Sequence, residues 1–258
     1  MFSLLEYIKY LFRCFRLHGI HSPFVFDFNE EVVKDVYKYY CFDEIESIRA
    51  KLELTEKKID VLDLGAGSRV RIHAQRKISN IAKTALKPTK QAQLLFKLAK
   101  YFQPDTILEI GTSLGISTSY LAKACPDAKV ISLEGSPQIL KVAKINFEKL
   151  NIANITTELG NFDDTLIHSV KKLKKLDLVY FDGNHKERPT LNYFEACLPY
   201  SNESSIFIFD DIYWSKGMKR AWNKIKSHPE VTVSIDLFHF GIVFFKKDQE
   251  KQHFTIYH

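Results

Sequence analysis

Thr106-Ile-Leu-Glu109-Ile-Gly111-Thr112-Ser113-Leu-Gly115-Ile-Ser117-Thr-Ser-Tyr-Leu-Ala122 is the stretch from which the rest of the chain becomes readable. A short apolar run ends beside an acid, a turn with two glycines follows, and a helical pattern then begins. Neither Gly111 nor Gly115 has a Cβ, so a small ligand can approach the backbone at both, and ligands bind outside the carboxyl ends of such strands. The strand end is therefore the candidate pocket. A dinucleotide fold would want G-x-G-x-x-G to seat a pyrophosphate, and Ser113 occupies the place of the middle glycine, which weighs against a nicotinamide cofactor.

Downstream, a second apolar run ends in Leu133-Glu134-Gly135-Ser-Pro137. A carboxylate at that strand end is placed to accept hydrogen bonds from both hydroxyls of a ribose. Acid, glycine turn and second acid together describe a nucleoside-binding crevice. Short apolar runs then keep alternating with helical stretches, the pattern of a parallel sheet covered by helices. Strands are predicted near 106–110, 129–133, 155–158, 176–181, 205–209, 231–237 and 241–246, with helices near 117–123, 136–150, 165–172, 188–197 and 216–226. The connection between the last two strands is too short for a parallel crossover, so one strand must run antiparallel.

Upstream, Leu4, Leu5, Ile8, Leu11, Phe12 and Phe15 fall at helical spacing, which predicts an amphipathic helix over 2–15 that packs on its own domain or on a membrane or partner subunit. A second helical stretch is expected over 29–57. His18 and His21 flank a glycine among aromatics and read as a turn. Val61-Leu-Asp63-Leu-Gly65-Ala-Gly-Ser68 imitates a strand, an acid and a glycine turn, but basic, helical sequence follows it. Asp63 to Ser68 is read as a loop over the site's mouth.

Composition bounds the rest. The chain has 258 residues, 45% of them hydrophobic, with 20 Phe and 12 Tyr, enough for a sizeable core. Cys14, Cys41, Cys125 and Cys197 lack C-x-x-C spacing, so no zinc or redox motif is expected and the thiols read as reduced and structural. Glu6, Lys9, Arg13 and Arg16 interrupt the first apolar run, no span has membrane-helix length, and a cytoplasmic protein is the expectation. The net charge of +6 is uneven: from Leu64 to Pro104 there are Arg and Lys residues and no acid. That stretch is a solvated surface or an attractor of anions or nucleic acid.

In order and spacing these motifs resemble the class I S-adenosylmethionine-dependent methyltransferases over roughly 83–247. The resemblance implies an α/β fold with a Rossmann-like, seven-stranded, mostly parallel sheet, an antiparallel last strand and helices on both faces. The methyltransferase domain would be 83–258, and 1–82 a helical N-terminal extension with a loop over the active site. The resemblance further implies that Glu109 faces the methionine amino group of the cofactor, that Gly111, Thr112 and Ser113 make the close turn, and that Ser117 meets the carboxylate. Glu134 and Gly135 would hold the ribose. Gly160-Asn161-Phe162 resembles the segment that lies against the adenine.

Within the class, the chain is most similar to the catechol and caffeoyl-CoA type O-methyltransferases. In the places of their acidic motifs stand Leu178-Val-Tyr-Phe-Asp182-Gly-Asn-His185 and Ile208-Phe-Asp210-Asp211-Ile-Tyr-Trp214. The resemblance implies that Asp182, Asp210 and Asp211 converge as oxygen ligands of a hard divalent ion such as Mg²⁺, which would lower the pKa of an attacking hydroxyl. Asp182 would also border the cofactor. Asp211 stands where an asparagine is commoner, and His185 where the metal-dependent relatives carry a lysine base. A neutral imidazole is a competent base at physiological pH, so His185 and Asp182 are the expected catalytic pair. Trp214 is placed to wall an acceptor pocket.

The expected reaction is methyl transfer to a small-molecule acceptor, most simply an oxygen nucleophile. Two other readings stay open: a nucleic-acid methyltransferase, suggested by the basic stretch although no Asn-Pro-Pro-Tyr type segment follows the fourth strand, and a non-catalytic nucleoside-binding module. A homodimer is compatible with all of them. The acceptor is not legible.

Overall fold

The structure, a computed structural model, describes residues 2–14, 21–63 and 72–258. In chain order its helices and strands are α1 (Phe2–Arg13), α2 (Pro23–Phe28), α3 (Phe42–Glu53), β1 (Lys58–Asp63), β2 (Ile72–Lys77), α4 (Ile78–Ala85), α5 (Thr89–Phe102), β3 (Thr106–Ile110), α6 (Ile116–Ala124), β4 (Lys129–Glu134) and α7 (Pro137–Lys149). Then come β5 (Ile155–Leu159), α8 (Phe162–Leu173), β6 (Leu178–Phe181), α9 (Glu187–Cys197), β7 (Ile206–Asp210), α10 (Lys216–Ser227), β8 (Val233–Asp236), β9 (Phe240–Phe244) and β10 (Gln252–Thr255). Two compact units result, Val36–Lys172 and the discontinuous pair Met1–Asp35 with Leu173–His258. The sequence reading divides the chain once, between Ala82 and Lys83.

In the unit Val36–Lys172, β3, β4 and β5 run parallel in that order. Every residue of β3 is buried, as expected of a parallel strand covered on both faces. Pairing of Ile110 with Leu133 brings the carboxyl ends of β3 and β4 side by side. Pro137 at the first turn of α7 starts that helix just beyond Glu134, where a missing N–H costs nothing.

Gly115 precedes α6 at φ +83°, and a Cβ there would sit 2.5 Å from the Phe147 ring and 3.1 Å from Ala143 Cβ. The space left by its missing side chain is therefore filled by α7, and the expectation of a ligand approach at Gly115 is corrected to helix packing. Gly115→Ala should destabilise the protein by about 2–4 kcal/mol through positive φ and overpacking. Combined with Phe147→Ala it should cost less than the sum of the two, as urea unfolding of the cycle would show.

In the unit built from Met1–Asp35 and Leu173–His258 the strand order is β10-β8-β9-β7-β6. β6 and β7 are parallel, and β9 is antiparallel to both β7 and β8. The antiparallel strand that the short hairpin demanded is thus present. An eighth strand is added to the seven expected: β10 pairs in parallel with β8. Its signal was a short alternation close to the end of the chain, with Phe254 inward between the exposed His253 and the half-exposed Thr255. Trp222 is buried against Gly241, where a Cβ would meet the indole at 2.7 Å.

The N-terminal helix forms and packs on its own unit, but by the face opposite to the apolar one. Glu6 is buried and paired with Lys219 at 2.6 Å, the Tyr10 hydroxyl donates to the Ile256 carbonyl, and Arg13 donates to the Tyr213 hydroxyl. Leu4, Leu5, Ile8, Leu11 and Phe12 are all exposed. Periodicity locates an amphipathic helix but does not say which face meets the protein, and strong specific partners on the polar face decided it.

The expected helix over 29–57 is broken. A π turn at Asn29–Val33 ends by Lys34, α3 begins only at Phe42, and β1 follows it. Between them Tyr39 turns its ring onto Phe42 and Phe96, a tertiary contact that overrides helix continuation. Asp63, read as the start of that loop, instead ends β1, which pairs antiparallel with β2; residues 64–68 lie outside the described residues, as does His18. His21 is exposed, and Ser22 after it caps α2 by accepting from Val25 N.

Candidate functional site

The turn after β3 is built around two acids. Gly111 at φ 110° and Ser113 at φ 48° take left-handed conformations, and the Gly111 and Thr112 amides donate to the Leu133 carbonyl at 3.0 and 2.9 Å. Glu109 has no exposed surface. Ser117 Oγ donates to its Oε1 and Ser132 Oγ to its Oε2, each at 2.6 Å, and Thr118 Oγ1 also donates to Oε2. Thr112 and Ser132 hydroxyls lie 2.6 Å apart, which extends the network into the turn.

Burial pushes the Glu109 carboxyl up to about 7; the three hydroxyls pull it down, and the nearby Glu134 charge adds to the rise. The sequence expectation made Glu109 a surface for the cofactor and Ser117 a separate contact. The structure brings the two together and seals Glu109 behind hydroxyls. Thr118 and Ser132 were missed, although a run of hydroxyls, Ser117 to Ser119, in a buried helix start was a visible signal.

Glu134 sits at the tip of β4, 9% exposed. Its Oε2 accepts from the Ser113 amide and its Oε1 from the Ser136 amide, both at 2.9 Å. Burial raises its pKa, against the lowering effect of the Ser136, Ser113 and Gly135 amides. Beside it, Gly160 at φ 152° donates its amide to the Glu134 carbonyl at 2.9 Å. Asn161 accepts from Thr165 N and Oγ1 at the start of α8, and Phe162 is the first residue of that helix. Glu109, Gly111, Thr112, Ser113, Ser117, Glu134, Gly135, Asn161 and Phe162 thus all lie at or just beyond the carboxyl ends of β3, β4 and β5.

The other unit carries a second constellation at equivalent strand ends. Phe181 pairs with Phe209 in β6 and β7, so Asp182 and Asp210 follow at matching positions. Asp182 is half-buried, Asp210 fully buried, and His185 Nε2 lies 3.5 Å from Asp182 Oδ1. Among the described residues, Asp182, His185 and Asp210 are the group whose ligand-type atoms all lie within 4.8 Å of one another. Asp211, expected as a third ligand, is not in that group. Its φ of 50° turns the chain, and its amide donates to the His239 carbonyl at 2.8 Å. Such a left-handed position is one that Asn or Asp tolerates. Trp214 is 68% exposed beyond it.

Two carboxylates fit a divalent cation by donor type, while the imidazole of the third member suits transition metals better than Mg²⁺. Asn184 at φ 66° donates from Nδ2 to the Tyr193 hydroxyl at 2.9 Å and holds the loop that carries His185. Glu187, bonded to Arg220 and Lys224 at 2.7 and 3.0 Å, pins the start of α9 just after it.

Comparison with known proteins bears on the fold that carries these residues. Residues 108–212 match a family described as "Methyltransferase domain". A catechol O-methyltransferase of Niastella koreensis is 28% identical over 125 residues, covering 47% of this chain and 56% of that protein. A catechol O-methyltransferase of Mycobacterium tuberculosis is 28% identical over 131 residues, covering 50% and 58%. The chain therefore spans little more than half the length of these curated relatives. The solved O-methyltransferase from Bacillus cereus in complex with SAH superposes with a TM-score of 0.57 at 20% identity, over 85% of this chain and 96% of that one. The chain carries the Rossmann-like fold seen in the class I S-adenosylmethionine-dependent methyltransferases, and residues 108–212 are the part of it similar to a methyltransferase domain.

Proposed function

We propose that the protein transfers the methyl group of S-adenosylmethionine to a small-molecule acceptor through an oxygen nucleophile. The observation that carries this reading is the pair of buried acids on adjoining strand tips, Glu109 behind the Gly111 turn and Glu134 clamped by the Ser113 and Ser136 amides. Glu134 presents a charged acceptor to a ribose diol, with Gly135 beside it. Gly111, Thr112 and Ser113 pass close to the methionine portion, Ser117 borders it, and Asn161 and Phe162 flank the base. The catechol O-methyltransferases among the relatives supply the acceptor class by analogy.

The sulfonium brings its own leaving group, so the protein's part is alignment and, for a protonated acceptor, removal of a proton. His185 is the base in this reading and Asp182, 3.5 Å away, steadies its imidazolium. A divalent ion would be held by the carboxylates of Asp182 and Asp210 and would supply Lewis acidity toward the acceptor oxygen. We take residues 83–258 as the part that carries the reaction and 1–82 as an extension, in a cytoplasmic protein. No helix among the described residues is long and apolar enough to cross a membrane.

Calorimetry tests the cofactor assignment: heat from S-adenosylmethionine and from S-adenosylhomocysteine, and none from a nicotinamide dinucleotide, is expected. Heat from neither adenosyl compound sinks it. With an acceptor found by screening, His185→Ala should lower kcat by about 100-fold or more with cofactor affinity unchanged. Unchanged turnover removes His185 as the base.

A further inference from the structure

The β1–β2 hairpin has no part in the site as described, yet one hydrogen bond ties it to the cofactor acid. Its base is anchored on one side: Lys77 pairs with Glu56 at 2.5 Å, Ser79 Oγ donates to Glu56 at 3.1 Å, and the Ile78 and Ser79 amides donate to the Lys57 and Thr55 carbonyls. Ile59 is buried, while Lys58 and Asp60 alternate outward. At the far end of β1 the Leu62 amide donates to Ser136 Oγ at 3.2 Å, and β1 packs along α7 there.

Ser136 is itself buried, and its own amide donates to Glu134 Oε1 at 2.9 Å. One residue therefore holds the hairpin with its hydroxyl and the carboxylate with its backbone. The two bonds are separable, because removing the hydroxyl leaves the amide in place.

We propose that Ser136 is a positioning residue that couples the β1–β2 hairpin to Glu134, so that cofactor binding and hairpin docking stabilise each other. The inference rests on the cofactor reading above. A ligand that shares the Glu134 oxygens tightens the strand tip and the turn at Ser136, and the hydroxyl acceptor offered to Leu62 is then better fixed. Such coupling is reciprocal: the factor by which cofactor steadies the hairpin equals the factor by which a docked hairpin tightens cofactor.

Hydrogen exchange of full-length protein, with and without S-adenosylhomocysteine, tests this first without any mutation. The Leu62 amide should exchange about 3- to 10-fold more slowly with ligand bound, the range of one hydrogen bond's net worth. In Ser136→Ala that protection should disappear and the Kd for S-adenosylhomocysteine should rise by about the same 3- to 10-fold. Ser136→Thr, which keeps the hydroxyl, should restore both. A merely structural serine would change melting temperature without removing ligand-dependent protection. If S-adenosylhomocysteine binds wild type and Leu62 exchange does not respond, the coupling is overturned while the cofactor reading stands. If it does not bind at all, both fall together.

Discussion

Glu109→Ala is expected to lower the unfolding free energy by about 3–5 kcal/mol, measured by urea denaturation at pH 8, because it strands the buried hydroxyls of Ser117, Thr118 and Ser132. Glu109→Gln keeps the volume and one carbonyl acceptor, and the hydroxyls can rotate to meet its NH₂ group, so it should cost less. The pair of variants separates shape from charge. Charge gives a further signature, since the native carboxyl titrates near pH 7 and its ordinary value is 4.5.

Between those values the native state holds a proton that the unfolded state has released. Stability from this group is therefore complete below about pH 4.5 and is lost as pH rises to about 7, beyond which it is level. The difference amounts to on the order of 3 kcal/mol. Burial also raises the carboxyl pKa of Glu134 and of Asp236, so those groups add their own pH dependence. The clean readout is accordingly wild type minus Glu109→Gln from pH 5 to pH 8. Parallel curves for the two proteins would show that Glu109 is not held in the protonated form by burial.

The second large effect belongs to Glu134. Its alanine variant should weaken S-adenosylhomocysteine binding by about 100-fold or more, the loss of charge-assisted bonds to two ribose hydroxyls. Part of any loss could come from the turn, because the Ser113 and Ser136 amides also lose their acceptor. A ligand cycle isolates the diol: a 2′,3′-dideoxy analogue should bind wild type and variant with nearly equal affinity. An analogue that still discriminates strongly between them would assign Glu134 to the turn alone.

The strands from β3 to β9 were legible to within a few residues because each is either an unbroken apolar run with polar or turn residues at its ends, as in Leu178–Phe181, or a β-rich run with a clear end. The acids at their tips were legible for a related reason. A charged residue closing a buried strand has few structural excuses, so Glu109, Glu134, Asp182 and Asp210 stand out before any coordinates exist. β10 and the β1–β2 hairpin were not, being short alternations beside basic or terminal sequence that also suits loops and helices. The cluster at β6 and β7 shows the limit most clearly. Three acids were expected together, yet a left-handed backbone at Asp211 removes one from the group and the loop held by Asn184 brings His185 in.

Linear order of apolar runs, turn glycines and closing acids was enough to establish the α/β class, the need for an antiparallel strand, and which strand ends carry chemistry, since burial periodicity is written residue by residue. Three features came from the packed chain alone: that Glu109 is sealed behind three hydroxyls, that α1 docks by Glu6, Tyr10 and Arg13 with its leucines outward, and that Ser136 joins a hairpin to Glu134. Each includes a partner that is not a near neighbour in sequence: 8 residues from Ser117 to Glu109, 74 from Leu62 to Ser136 and 246 from Tyr10 to Ile256. Periodicity describes a segment's own faces, and hydrogen bonds between distant segments exist only once loop closure has brought them within reach.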